Sequence, residues 1–170
     1  VTFPHDPHDS PGSRTGSGQG GQRSRIGRQR SGGASPDGPS GSYPVRTEED
    51  LLTVRHAVRS ATQALGFRLV DQTRVVTAAS ELARNAYVHG GGGTLTLDAL
   101  HQARGAGLRL TVRDDGPGIP DLDGALTDGF TTGAGLGHGL GGARRLMHDF
   151  AVRTAPGDGT VVTAVRWADG

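Results

Sequence analysis

The chain of 170 residues reads as an α+β fold, a two-layer α/β sandwich in which a mixed or antiparallel sheet carries helices on one face. Three observations predict it. Two stretches between residues 47 and 90 repeat apolar side chains at helical spacing. Leu95, Leu97 and Ala99, then Leu108, Leu110 and Val112, alternate with polar neighbours as strands do, with Gly105 and Gly107 between the two runs. A last pair of strand-like runs, Phe150 to Ala155 and Val161 to Trp167, is joined by the turn Pro156-Gly157-Asp158-Gly159.

In chain order, residues 1–42 are rich in Gly, Ser, Pro, Arg and Gln and nearly empty of large apolar side chains. Such a segment cannot bury enough surface to offset its ordering entropy, so a disordered tail is expected there, with one domain over 43–170. Tyr43 to Arg46 suit a short edge strand. Thr47-Glu48-Glu49-Asp50 resembles a capping box, with Asp in place of the usual Glu or Gln, and opens a helix whose stripe is Leu51, Val54, Val58, Ala61 and Leu65. Gly66 fits its stop. Asp71 is expected to cap a second helix with the stripe Val75, Ala79, Leu82 and Ala86, ending at Gly90 to Gly93. After a glycine-rich loop, Ala143, Leu146 and Met147 suit a third helix.

Composition excludes several function classes. The formal net charge is +1, which gives no electrostatic case for nucleic acid or a membrane surface. Cysteine is absent, so disulfides, thiol catalysis and Cys-based zinc sites are out. No apolar run approaches the roughly 20 residues of a membrane span. The amino end lacks the apolar centre of a signal peptide, and a cytoplasmic protein is expected. Every basic side chain apart from histidine is arginine. A Walker A loop and the protein-kinase fold both need a lysine, so neither of those routes to a bound nucleotide is available.

Three motifs carry chemistry. Asp114-Asp115-Gly116-Pro117-Gly118-Ile119-Pro120 follows a strand, and Asp114 continues the line of Leu108, Leu110 and Val112 onto the face expected to be buried. A carboxylate there needs a hydrogen-bond donor, and an adenine amino group is a suitable one. Glu81 and Asn85 are four apart on one helical face; a carboxylate can deprotonate a hydroxyl and an amide oxygen can coordinate Mg²⁺. Gly133-Ala134-Gly135-Leu136-Gly137-His138-Gly139-Leu140 offers backbone N–H groups to phosphates at the start of a helix. Each has a plainer alternative: an acidic turn, a solvated helix face, a linker. Gly137, Gly139 and Gly142 also fit G-x-G-x-x-G, but no strand precedes them, so the dinucleotide fingerprint is rejected.

Taken together and in this order, the motifs resemble those of the GHKL ATPases, the superfamily of gyrase, Hsp90-type chaperones, histidine kinases and MutL. Within it the chain resembles the small anti-sigma and switch serine/threonine kinases, RsbT-type switch kinases above all. The likeness rests on Ala79-Ser80-Glu81-Leu82-Ala83-Arg84-Asn85, Asp114 to Asp121, Asp128-Gly129-Phe130-Thr131-Thr132, Arg144-Arg145-Leu146-Met147 and Val165-Arg166-Trp167, and spans about residues 43–168.

The resemblance implies a GHKL (Bergerat) ATP-binding fold and an ATP- and Mg²⁺-dependent kinase. Glu81 would be the general base and Asn85 the Mg²⁺ ligand. Asp114 would bind adenine, with Gly116 and Gly118 shaping the pocket floor. Gly133, Gly135, Gly137 and Gly139 would cover the triphosphate, and Thr160 would lie near the adenine. Implied partners are STAS-domain proteins as substrates, with a phosphatase activator or a sigma factor as further candidates. The alternative it leaves open is an anti-sigma factor that mainly holds a sigma factor, gated by ATP. The tail lies outside the likeness.

Overall fold

The computed structural model describes residues 38–127 and 139–168, all within one compact unit, Gly32–Gly170. Its elements run β1 (Gly41–Val45), α1 (Glu48–Ala64), α2 (Leu69–Val88), β2 (Gly93–Gln102), β3 (Gly105–Asp114), α3 (Leu122–Leu126), α4 (Gly139–Leu146), β4 (Asp149–Thr154) and β5 (Thr160–Trp167). The strands form one sheet in the order β1-β2-β3-β5-β4, and every pairing is antiparallel rather than mixed.

Register sorts the side chains into rows across the sheet. Gly41, Leu97, Leu110, Ala164 and Phe150 make one row; Tyr43, Leu95, Val112, Val162 and Val152 make the next. Both lie on the face that α2 covers, with α1 and α4 packed on either side of it. Leu82, Leu95, Leu97, Leu108 and Leu110 are at most 2% exposed. Each such burial contributes about 1.5–3 kcal/mol. The opposite face carries Thr96, Arg109, Thr111, Arg113 and Thr163, as the period of two requires.

Local chemistry sets the helix ends. At the start of α1 the Thr47 hydroxyl accepts from Asp50 N at 3.1 Å, and the Asp50 carboxylate accepts from Thr47 N at 3.0 Å, completing the capping box. Gly66, at φ +76°, ends that helix: its N–H donates to Gln63 O, and Phe67 N–H donates to Thr62 O. The expected cap of α2 is corrected. Arg68 occupies the cap position, and Asp71 lies buried in the first turn. There the Asp71 carboxylate accepts from Arg166 Nε at 3.0 Å, from Arg166 Nη2 and from Arg74 Nη1 at 3.0 Å. A long-range ion pair has taken the residue that helix-end chemistry alone would claim.

Arg166 reaches further. Its Nη1 donates to Leu146 O at 2.8 Å, the last carbonyl of α4. That helix has three glycines in eight residues, and the two inside it, Gly141 and Gly142, each cost about 1 kcal/mol relative to alanine. Tertiary contacts hold it: Leu140 and Ala143 are buried, and α4 packs on α2. Gly141 is pressed against the chain before it, since a Cβ there would lie 2.9 Å from Leu126 O. Among the described residues no helix is long and apolar enough to cross a membrane.

Candidate active site

The third row of the inner face is Val45, Gly93, Asp114, Thr160 and Thr154. It lies at the end of the sheet where β3 finishes, and there the apolar rows give way to polar groups. Asp114 is half-buried, less enclosed than its register predicts, because β3 stops at this residue. Asp115 points the other way and is exposed. Asp114 Oδ1 accepts from Gly116 N at 3.0 Å, which closes the turn and sets the carboxylate.

The end of α2 abuts this carboxylate. Gly90 follows the helix, and its N–H donates to Ala86 O at 3.1 Å. A Cβ on Gly90 would lie 2.4 Å from Asp114 Cγ, and one on Gly116 would lie 2.6 Å from Gly90 Cα. Asp114 therefore packs directly against the turn one residue after His89, the α2 C-cap, whose own N–H donates to Asn85 O at 2.9 Å. The helix bearing Glu81 and Asn85 thus ends on the Asp114 carboxylate. Both of those side chains are half-buried, four residues apart, on the flank of a stripe whose Leu82, Ala83 and Ala86 are buried.

Thr160 is directly opposite Asp114 across β3 and β5, so their side chains share a face with Cβ atoms about 4.5–5.5 Å apart. Thr154, opposite Thr160 on β4, is a hub: it binds Ile119 N at 2.9 Å, Gly159 O at 3.1 Å and Thr160 Oγ1 at 3.1 Å. These bonds tie the Gly116–Pro120 turn to the 155–159 turn. Gly118 has φ +80°, and a Cβ there would lie 2.4 Å from Ala155 O, so backbone approach alone already requires glycine.

Of the residues singled out in the sequence, Asp114, Gly116, Gly118 and Thr160 share one end of the sheet, with the end of α2 against it. Gly139 begins α4. Gly133, Gly135 and Gly137 lie outside the described residues, as does the Asp128–Thr132 stretch. Gly90 and Thr154 escaped the sequence reading. Gly90 stood in a glycine run that reads as a helix stop, and Thr154 had no motif around it.

The donor chemistry suits a magnesium nucleotide. Among the described residues no three His, Cys, Asp or Glu side chains gather into a metal cage. Asn85 and Glu81 offer hard oxygens from one helix face, and Mg²⁺ characteristically takes few protein ligands and completes its shell with phosphates and water. Gly116 and Gly118 let the turn that follows Asp114 close on Gly90 and on Ala155, which fixes one side of the carboxylate.

Comparison with known proteins agrees. Residues 70–168 match the family described as "Histidine kinase-, DNA gyrase B-, and HSP90-like ATPase". The chain is 42% identical over 123 residues to "Serine/threonine-protein kinase RsbT" of Bacillus subtilis (strain 168), covering 72% of this chain and 92% of that protein. It is 33% identical over 99 residues to "Anti-sigma F factor" of Bacillus licheniformis, covering 54% of this chain and 66% of the relative. A crystal structure of the RsbU and RsbW domains of a Mycobacterium tuberculosis protein shares the fold, with TM-score 0.54 at 22% identity over 76% of this chain and 32% of that one. The chain belongs to the histidine kinase-, DNA gyrase B- and HSP90-like ATPase family, in its RsbT-type serine/threonine-protein kinase branch.

Proposed function

We propose that the chain is an ATP-dependent serine/threonine protein kinase that phosphorylates STAS-domain regulatory proteins in a sigma-factor signalling module and exchanges partners as it does so. The observation that carries this is the meeting of Asp114, opposite Thr160, with the end of the helix that bears Glu81 and Asn85. Similarity to the B. subtilis kinase over most of both chains supports the same reaction.

Asp114 accepts from the adenine amino group, and Gly116 and Gly118 shape the pocket floor by letting the turn close on Gly90 and on Ala155. Asn85 would hold Mg²⁺, which when bound would neutralise charge on the phosphates. Glu81 takes the proton of the acceptor Ser or Thr hydroxyl as that oxygen attacks the γ-phosphorus and ADP leaves. The resemblance assigns Gly133, Gly135, Gly137 and Gly139 to the cover of the triphosphate. The anti-sigma relative supports a second reading, a sigma-factor binder gated by ATP, at lower identity and over less of the chain.

The test is transfer. With labelled ATP, Mg²⁺ and candidate STAS-domain proteins, label should move to a Ser or Thr of the partner, and Glu81→Gln should abolish it while ATP still binds. Recovery of a sigma factor, with no transfer to any STAS protein, would favour the second reading.

A further inference from the structure

The helical wheel of α2 separates the nucleotide side of Glu81 from its outer side. At about 100° per residue, the buried stripe of Val75, Ala79, Leu82 and Ala86 centres roughly 130° around from Glu81. Asn85 lies about 40° from Glu81 toward that stripe, whereas Val88 and Arg84 lie about 20° and 60° from it the other way. Arg84 and Val88 are exposed, and Glu81 is half-buried. A hydroxyl brought to Glu81 by another protein therefore passes over this outer ridge. Long helical side chains lean toward the N-terminal end of their helix, which carries Arg84 back over the turn of Glu81. The two have the spacing of a helical ion pair. Yet among the described residues Arg84 forms no ion pair or hydrogen bond. The α1–α2 hairpin adds apolar surface beside this guanidinium. Twelve residues back from Ala64, the end of α1, and twelve on from Leu69, the start of α2, are Leu52 and Glu81, so the two stand level. Leu52 is 59% exposed and Val88 54%. The acids of α1, Glu48, Glu49 and Asp50, are confined to its first turn, where Asp50 closes the cap.

We propose that Arg84 is a specificity-determining residue for the acceptor protein. It takes a carboxylate that lies beside the accepting Ser or Thr, while Leu52 and Val88 take an apolar side chain of the same segment. This rests on the kinase reading above, with Glu81 as its base. An arginine fork takes a carboxylate through two parallel hydrogen bonds, so it orients the segment as well as attracting it. The contact is made before transfer and during it alike, so it acts on acceptor binding rather than on the chemical step.

The experiment is steady-state transfer of label from ATP with Mg²⁺ to the STAS-domain protein that the wild-type full chain phosphorylates, with acceptor concentration varied. Arg84→Glu should raise the acceptor KM about fivefold or more, the loss of one exposed pair plus like-charge repulsion. Its kcat and ATP affinity should stay near wild type, and the rise should shrink in high salt. Arg84→Lys should recover most of the loss, and Leu52→Gln should raise the acceptor KM on its own. Arg153→Glu, the same charge reversal placed on β4, should leave the KM unchanged. Acidic residues of the acceptor that flank its accepting hydroxyl are then changed to Lys one at a time. At one position the change should weaken transfer by wild type and improve transfer by Arg84→Glu. A wild-type KM in Arg84→Glu, a loss that falls on ATP affinity instead, or no acceptor position that exchanges charge with it would overturn the proposal while the kinase reading stands. Failure of wild type to label any STAS-domain protein would strike the kinase reading itself, and the proposal with it.

Discussion

Gly90→Ala adds one methyl group where α2 meets Asp114. The new Cβ would sit 2.4 Å from Asp114 Cγ, 2.5 Å from Asp114 Cβ and 2.7 Å from Ala86 O. Carbon atoms in contact keep about 3.5–4.0 Å, so Asp114 or the helix end must shift by about 1 Å. Overpacking of that kind costs about 1–3 kcal/mol. If the carboxylate moves, the loss falls on nucleotide binding, and at 1.4 kcal/mol per tenfold it amounts to about 5- to 150-fold in affinity. Gly91→Ala is the internal control. A Cβ there meets nothing within 4 Å, but the residue holds φ +69°. It should lose about 1–2 kcal/mol of stability to backbone strain and keep its nucleotide affinity. Calorimetric titration with ATP and Mg²⁺, beside thermal melts of both variants, reads the two effects apart. Wild-type affinity in Gly90→Ala, or an equal affinity loss in both variants, would refute the claim that Gly90 seats Asp114.

Three further outcomes follow from the packing. Asp71→Ala leaves the Arg166 guanidinium 5% exposed without its carboxylate and should cost about 3–5 kcal/mol in denaturant unfolding. The same residue sets a pH dependence. Burial alone would push the Asp71 carboxyl up, but hydrogen bonds and charge from Arg166 and Arg74 outweigh it and hold the group below its ordinary value. The pair's contribution is therefore fully present above the unfolded value of about 3.9 and is lost as pH falls through the lower folded one. The stability gap between wild type and Asp71→Ala should stay constant near neutrality and narrow only in acid; a gap that narrows above pH 6 would contradict this. Gly107→Ala would place a Cβ 2.6 Å from Trp167 Cε3, and should lower unfolding free energy by about 1–3 kcal/mol without changing ATP affinity.

Much of the fold was legible because it rests on period. The 3.6-residue spacing of Val75, Ala79, Leu82 and Ala86 marks the inner stripe of α2, and the two-residue spacing of Leu108, Leu110 and Val112 leads to Asp114. Thr47 to Asp50 could be read because a capping box is local. What escaped depends on residues distant in sequence. Asp71 looks like a helix cap until Arg166, 95 residues on, comes to it. Gly90 is one glycine among four until β3 delivers Asp114 beside it. Thr154 gains its role only when the turn at Ile119 and the neighbouring strand converge on its hydroxyl. The five residues of α3 are too few to show a period. The half-burial of Asp114 reflects where the strand stops, which alternation does not encode.

ATP affinity of Asp114→Asn, measured by titration with Mg²⁺ present, bears most directly on the purine site. The amide keeps the size of the carboxylate and can still take the Gly116 N–H through its oxygen, but it loses the charge that draws an amino group. Affinity should drop about tenfold or more, with the melting temperature little changed. Undiminished ATP binding by a folded Asp114→Asn protein would mean that the base docks elsewhere.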